Sequence, residues 1–114
     1  MKTVHGKLVF CDVDDTLVEW SPTREAERDR GLPVKGGGRV VPIVENIAHL
    51  KRHALRGHVI ILWSKGGAEW AEAVAKALDI DWMVAYAMDK PSWVVDDLPT
   101  SAWMPFPILP SGAK

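Results

Sequence analysis

KLVFCDVDDTL, at residues 7–17, runs from an apolar segment directly into a group of acids. The apolar part is continuous and rich in β-forming side chains, which predicts a short strand buried on both faces. Three carboxylates follow within four positions, at Asp12, Asp14 and Asp15. Like charges this close repel one another, and a divalent cation that prefers oxygen ligands, such as Mg²⁺, would relieve the repulsion. The alternative interpretation is a solvated turn whose acids cap the next element.

The composition is typical of one soluble globular domain. The chain has 114 residues, of which 47% are hydrophobic and 25% charged, and this length suffices for a single core. The net charge of −1 provides no basic field to attract nucleic acid or a membrane. No apolar run reaches the roughly 18 residues of a membrane span, and the N-terminal residues carry no apolar signal core. We therefore expect a cytoplasmic protein without membrane contact.

Cys11 is the single cysteine, so no internal disulfide can form. This agrees with a reducing compartment. Because Cys11 lies within the apolar strand, where a thiolate is costly, it is not predicted to act as a nucleophile.

Hydrophobic periodicity predicts helices that alternate with further strands. A helix is expected over residues 41–56, with Pro42 in its first turn, and a second helix over residues 68–78. Strands are expected at 59–63, 82–87 and 92–95. This order predicts an α/β fold with a parallel sheet and right-handed crossover connections.

Polar side chains follow the carboxyl end of each of the four predicted strands. In chain order they are Asp12 and Asp14, then Ser64, then Lys90, then Asp96 and Asp97. Ligands of open parallel sheets bind beyond the carboxyl ends of the strands, so these residues are expected to converge. Acids with Mg²⁺ can hold a phosphate, while a hydroxyl and an ammonium group can bind its oxygens. One carboxylate can attack phosphorus, and a second can act as general acid and base.

This set of residues resembles the motifs of the haloacid dehalogenase (HAD) superfamily of phosphatases. Residues 12–16, DVDDT, match the first motif, DxDx[TV], and Ser64 is similar to the second. Lys90 stands where the third-motif lysine stands, and the acid pair at 96–97 is similar to the fourth motif. The resemblance implies a three-layer Rossmann-like parallel sheet. It also implies Mg²⁺-dependent hydrolysis of phosphomonoesters through an aspartyl-phosphate intermediate.

The same resemblance implies a role for each acid. Asp12 is the nucleophile and a Mg²⁺ ligand, and Asp14 is the general acid and base, with its backbone carbonyl also on the metal. Asp96 and Asp97 complete the metal site, one directly and one through water.

The resemblance also implies which residues bind phosphate. Ser64 and Lys90 hold the transferring phosphoryl group, and Thr16 orients the loop. Lys65 is a rival for Lys90, but the family's lysine shortly precedes the last acidic strand, which favours Lys90.

The chain is short for this superfamily, many members of which carry a cap domain. We expect one HAD-like domain over residues 1–114 with no cap, a short flap at residues 18–38 and a Pro-rich tail at 99–114 packed on the domain. Within the flap, residues 24–30 are expected to form a polar hairpin or helical turn. The triple glycine at 36–38 is expected to be a linker, because it lacks the Lys-Ser/Thr of a phosphate-binding loop.

The residues 106–109 within this tail are a candidate for a short fifth strand. An open site suits a large phosphorylated substrate, or a homo-oligomer in which a neighbour closes the site. Nucleic acid is expected only as a possible substrate.

Tryptophan is abundant, with six residues in the chain. Four of them fall in predicted strands or on a helix face and are assigned to the core, namely Trp63, Trp70, Trp82 and Trp93. Trp20, beside the first motif, has two interpretations: core packing, or stacking on a base or sugar of the substrate.

Two other functions stay open on the sequence. One is a phospho-accepting signalling domain of the receiver type, which needs a lone phosphoacceptor aspartate at its third strand. Asp89 is a poor candidate for that role, because it is expected just past the strand and beside Lys90. The other is a catalytically inactive HAD-fold binding protein, against which the intact Asp12 and Asp14 argue.

Overall fold

Three parallel strands form the main sheet of this α/β protein. The computed structural model describes residue 1 and residues 3–104. Its elements are β1 (Leu8–Asp12), α1 (Arg24–Arg30), β2 (Leu32–Pro33), β3 (Arg39–Val40), α2 (Val44–Leu55), β4 (Val59–Ser64), α3 (Ala68–Ala77), β5 (Val84–Asp89) and α4 (Thr100–Trp103). A short 3₁₀ turn, Asp81–Met83, precedes β5.

The strands lie in the order β1–β4–β5, and both neighbouring pairs are parallel. The register places Asp12 opposite Trp63, and Ser64 opposite Asp89. The three strands therefore end at one edge of the sheet, and the first three predicted strands are confirmed.

The two predicted helices are also confirmed, although α2 begins three residues later than expected. Val41 and Pro42 are held by the chain that follows β1: Glu19 N–H donates to the Val41 carbonyl at 2.9 Å, and Pro42 forms a β-bridge with Val18. The expectation that Pro42 lies in the first helical turn is wrong, because these contacts keep it extended.

One face of the sheet carries both long helices. Since β1, β4 and β5 advance in one direction across the sheet, two right-handed crossovers place α2 and α3 on the same side. The side chains buried between them and the sheet form the core, which includes Val13, Leu17, Val18, Leu50, Ile60, Leu62, Ala71, Val74, Ala75 and Ile80. Burying each larger aliphatic side chain stabilises the fold by about 1.5–3 kcal/mol.

The opposite face of the sheet is apolar but carries no long helix among residues 3–104. Phe10 and Trp63 stack there with ring centroids 4.5 Å apart. They line a cavity of about 840 Å³, to which Trp103 and Met104 from the end of α4 also contribute. The third layer expected from the sequence is therefore not present in the part of the chain that the structure describes.

The predicted fourth strand at residues 92–95 is wrong in this structure. The segment leaves the sheet at Pro91, which has no backbone N–H to donate to a ladder. Trp93 and Val95 are 89% and 101% exposed, respectively. Their β-forming side chains favour a strand only where a sheet buries them, and here none does.

The flap region contains the short helix α1 and leads into the β2–β3 hairpin, so the helical alternative for residues 24–30 is confirmed. Thr23 caps α1 by accepting a hydrogen bond from Ala26 N–H at 3.0 Å. The triple glycine turns the chain between β2 and β3, with positive φ at each glycine. The proposed fifth strand at 106–109, and most of the Pro-rich tail, lie outside the described residues. No helix within residues 3–104 combines the length and apolar character needed to cross a bilayer.

Candidate active site at the carboxyl ends of the strands

A pocket of about 460 Å³ opens where β1, β4 and β5 end. Its walls are formed by Asp12, Asp14, Trp20, Lys65, Gly66 and Lys90. The structure thus brings three of the sequence-predicted residues, Asp12, Asp14 and Lys90, to one cavity. Two of them are separated from Lys90 by more than 70 positions of the chain, so the parallel sheet creates this proximity.

Asp12 and Lys90 lie next to each other on the pocket wall. Asp12 is the last residue of β1, and its Oδ1 lies 3.8 Å from the Lys90 Nζ. Lys90 follows β5 directly, and its backbone N–H donates to the Ser64 carbonyl at 2.9 Å, which fixes it against the end of β4. Because both side chains are about one-third exposed, the ion pair contributes little to stability. Its consequence is a cation beside a carboxylate in an accessible pocket.

Asp14 is held by an indole N–H from α3. Trp70 Nε1 donates to both carboxylate oxygens, at 3.3 and 3.2 Å. Burial raises the pKa of Asp14 above its ordinary value, and the charge of Asp12 adds to the effect, although hydrogen bonds from Trp70 and Ser64 oppose it. A carboxyl group with a raised pKa holds its proton closer to neutral pH, which suits a general acid.

Ser64 is buried behind the pocket wall at the end of β4. Its Oγ accepts a hydrogen bond from Gly66 N–H at 2.9 Å, and its carbonyl accepts from Gly67 N–H at 3.1 Å. A Cβ on Gly66 would lie only 3.0 Å from Trp70 Cδ1 and 3.3 Å from Ser64 Oγ. A side chain at this position would crowd Trp70 and Ser64, so glycine suits the tight turn after β4.

The loop after β1 is closed by its own backbone. Leu17 N–H donates to the Val13 carbonyl at 2.8 Å, and Asp15 N–H donates to the Val18 carbonyl at 2.7 Å. Thr16 carbonyl accepts from Asn46 Nδ2 at 2.8 Å, which ties the loop to α2. Thr16 lies in this loop, as its predicted orienting role requires, and the contact shown is through its backbone.

Asp96 and Asp97 do not line the pocket. Both are exposed, and Asp96 Oδ1 accepts a hydrogen bond from Leu98 N–H at 3.0 Å within its own turn. Among residues 1 and 3–104, no group of three His, Cys, Asp or Glu side chains is spaced to hold a metal ion. The four acids assigned to Mg²⁺ are therefore not assembled here, because the strand expected to bring in the second pair does not form.

Sequence reasoning missed two residues that support the pocket from behind its walls. Trp70 packs against the core as expected, but it also points its N–H at Asp14 from the first turn of α3. Asp89, the last residue of β5, accepts from Ala68 N–H at 2.7 Å and so caps α3. Their positions in the chain could have predicted this, because the first turn of a helix that follows a parallel strand begins beside the carboxyl end of that strand.

The other tryptophans divide between packing and exposure. Trp63 packs on Phe10 as expected, whereas Trp82 and Trp93 are 64% and 89% exposed, so their assignment to the core is wrong. Trp20 is 70% exposed and lies on the pocket wall.

Cys11 behaves as its position in the strand predicts. Burial, with a contribution from the charge of Asp12, raises the pKa of its thiol to about 12. A thiol with this pKa is protonated at neutral pH and is a poor nucleophile.

Comparisons of the chain with protein-family models, with curated proteins and with solved structures found no match. The assignment of a function therefore depends on the residues of the pocket.

Proposed function

We propose that this protein is a Mg²⁺-dependent phosphatase that hydrolyses phosphomonoesters through a phosphorylated Asp12. The observation that carries the proposal is the meeting of Asp12, Asp14 and Lys90 in one pocket at the carboxyl ends of three neighbouring parallel strands. The order and type of these residues, with Ser64 beside them, resemble the HAD superfamily. We favour the specific proposal that the protein is a small, capless member of that superfamily with a Rossmann-like sheet.

In the first step, an Asp12 carboxylate oxygen attacks phosphorus and forms a P–O bond while the P–O bond to the leaving group breaks. Asp14 donates its proton to the departing oxygen, which its raised pKa favours. Lys90, 3.8 Å from Asp12, offsets the negative charge that the nucleophile and phosphoryl group bring together.

In the second step, a water molecule attacks the phosphorus of the acyl phosphate. Asp14, now ionised, takes the proton from that water. The products are inorganic phosphate and a free Asp12 carboxylate, so the enzyme returns to its starting state. A single residue thus acts first as acid and then as base.

Asp12 and Asp14 provide part of the ligand set that a magnesium ion needs. Mg²⁺ in phosphoryl-transfer sites keeps several waters and uses one or two carboxylates together with substrate oxygens. The Asp12 carboxylate and the Asp14 backbone carbonyl would supply the protein ligands of such an ion, whereas Asp96 and Asp97, which the sequence assigns to the metal, lie outside the pocket. When bound, the ion would neutralise phosphate charge.

A receiver-type signalling domain has less support. Asp89 is the last residue of the third parallel strand, not past it as the sequence suggested, so its position alone fits a phosphoacceptor. Its Oδ1, however, accepts the Ala68 N–H of α3 at 2.7 Å. Phosphorylation there would disturb that cap, whereas Asp12 has an accessible pocket and a neighbouring cation.

The test is hydrolysis of p-nitrophenyl phosphate by the wild type, Asp12→Asn and Asp14→Asn, with Mg²⁺ and after its removal by a chelator. We expect activity that requires Mg²⁺, and a loss of about 10³-fold or more in Asp12→Asn because the nucleophile is removed. Asp14→Asn should also lose activity.

Asp15→Asn is the matched control, since it removes one charge from the same loop and asparagine tolerates the φ of 61° at this position. It should keep its rate within a factor of about three, because Asp15 does not line the pocket. An inert wild type in the presence of Mg²⁺, or full activity in Asp12→Asn, would remove the phosphatase proposal.

A further inference from the structure

The pocket has one large apolar surface among charged groups. Of the described residues that line it, Trp20 alone offers a flat ring, and the others are two aspartates, two lysines and a glycine. An indole that is 70% exposed at the mouth of a polar pocket leaves apolar area in water that a ligand can cover. Trp82 is similarly exposed but lines neither cavity, so it is position rather than exposure that distinguishes Trp20.

The chain that precedes Trp20 is anchored. Glu19 N–H donates to the Val41 carbonyl at 2.9 Å, and the Glu19 carboxylate pairs with Arg30 Nη2 at 3.4 Å. Ser21 has a positive φ of 49°, which turns the chain immediately afterwards toward α1. The backbone of Trp20 is therefore held at the root of the flap, beside Asp12 and Asp14.

The pocket also has two cations, Lys65 and Lys90, on its wall. Lys90 is the one paired with Asp12, whereas no ion pair is found for Lys65 in the described part of the chain. A phosphate at Asp12 would thus have a second positive group nearby for further anionic oxygens. A volume of about 460 Å³ falls within the range of pockets that hold small organic ligands.

We propose that Trp20 stacks on a planar nucleobase, so that the substrate class is a nucleoside monophosphate or the phosphorylated end of a nucleotide chain. This inference rests on the proposed phosphatase function and identifies the group that the substrate carries besides its phosphate. Stacking of a base on an aromatic side chain accounts for about 5- to 150-fold in binding. A sugar phosphate without a base lacks that contribution.

The experiment compares AMP with ribose 5-phosphate, which share the 5′-phosphate and differ by the base. We measure kcat/KM for both esters in the wild type, Trp20→Ala, Trp20→Phe and Trp82→Ala. The wild type should prefer AMP by about 5- to 150-fold, and Trp20→Ala should reduce this preference below about threefold. Trp20→Phe, which keeps a ring, should retain much of the preference, and Trp82→Ala should retain all of it.

Equal rates for the two esters in the wild type, or a preference that survives in Trp20→Ala, would overturn the stacking proposal while the phosphatase stands. If the wild type hydrolyses neither ester, nor p-nitrophenyl phosphate, the phosphatase proposal fails instead. Trp20 is then judged by binding alone: broadening of the AMP ring-proton NMR signals that Trp20→Ala abolishes supports stacking, and no broadening overturns it.

A 5′-phosphorylated oligonucleotide, assayed in the same series, distinguishes the source of the base. If its kcat/KM is at or below that of AMP, the free mononucleotide is the substrate. If it exceeds that of AMP by tenfold or more and still depends on Trp20, the substrate is a nucleic-acid end. A preference for the oligonucleotide that is independent of Trp20 contradicts the proposal.

Discussion

Residues 12–18 and residues 91–98 each follow a parallel strand, and each carries a pair of acids that the sequence assigns to one site. The first segment is closed by backbone hydrogen bonds and buries Val13, Leu17 and Val18. The second is exposed throughout, and its one hydrogen bond within the described residues is local, from Leu98 N–H to Asp96. The difference teaches that acids after a strand are held in a fixed arrangement where the neighbouring side chains are buried, and are left exposed where they are not.

The largest effect that follows from this contrast is on stability. Leu17 is 0% exposed, so Leu17→Ala leaves a cavity in the core and should lower the free energy of unfolding by about 2–5 kcal/mol. Val95→Ala, at a fully exposed position of the second segment, should change it by less than about 0.5 kcal/mol. Urea denaturation followed by circular dichroism measures both. A large loss in Val95→Ala would show that residues 92–95 are packed in solution.

A smaller effect on the free energy of unfolding is expected from substitution of Asp14, whose pKa is raised chiefly by burial. A carboxyl group with a higher pKa in the folded state contributes its full stability below the unfolded value, 3.8, and loses it as pH rises through the folded pKa. Ionised Asp14 therefore costs stability at neutral pH. Asp14→Asn still accepts the Trp70 N–H and should raise the free energy of unfolding at pH 7, by no more than about 0.5 kcal/mol because solvent screens this partly exposed group.

The gain in Asp14→Asn should shrink as the pH is lowered toward 4, because the wild-type carboxyl then becomes protonated. Urea unfolding at both pH values tests this, with Asp15→Asn as the exposed control. If Asp14→Asn is less stable than the wild type at pH 7, the ionised Asp14 carboxylate stabilises the fold, which contradicts this prediction.

The smallest effect is expected at the second acid pair. With Asp96 and Asp97 placed outside the pocket, Asp96→Asn and Asp97→Asn should leave the Mg²⁺ concentration for half-maximal activity within about twofold of the wild type. An increase of tenfold or more in this Mg²⁺ concentration, in either variant, would contradict the placement of the second acid pair outside the pocket. It would show that residues 92–97 join the sheet when Mg²⁺ is bound, as the sequence predicts.

Much of the fold could be predicted because its signals are local. The apolar runs at β1 and β4 and the helical spacing in α2 and α3 report burial directly, and the observed elements agree with them within about three residues. The rule that sites lie beyond the carboxyl ends of parallel strands then placed Asp12, Asp14 and Lys90 together.

The rest could not be predicted, because it depends on contacts between distant segments. Trp93, Val94 and Val95 have the composition of a strand, but a strand needs a partner edge, which the segment does not have in this structure. The hydrogen bond from Trp70 to Asp14 joins positions 56 residues apart, and indole burial alone does not reveal where its N–H points. The start of α2 was misplaced because a β-bridge to Val18 competes with the helix at Pro42.

The most direct test of the phosphatase proposal is to find the phosphoryl group on Asp12. Wild type, Asp14→Asn and Asp12→Asn are mixed with p-nitrophenyl phosphate and Mg²⁺, quenched in acid, and their peptides weighed by mass spectrometry. We predict a gain of about 80 Da on the peptide that contains Asp12, strongest in Asp14→Asn, where a good leaving group departs but water is no longer activated. A wild type that turns over while Asp12 never gains this mass, or a phosphoryl group found on another residue, would contradict the account.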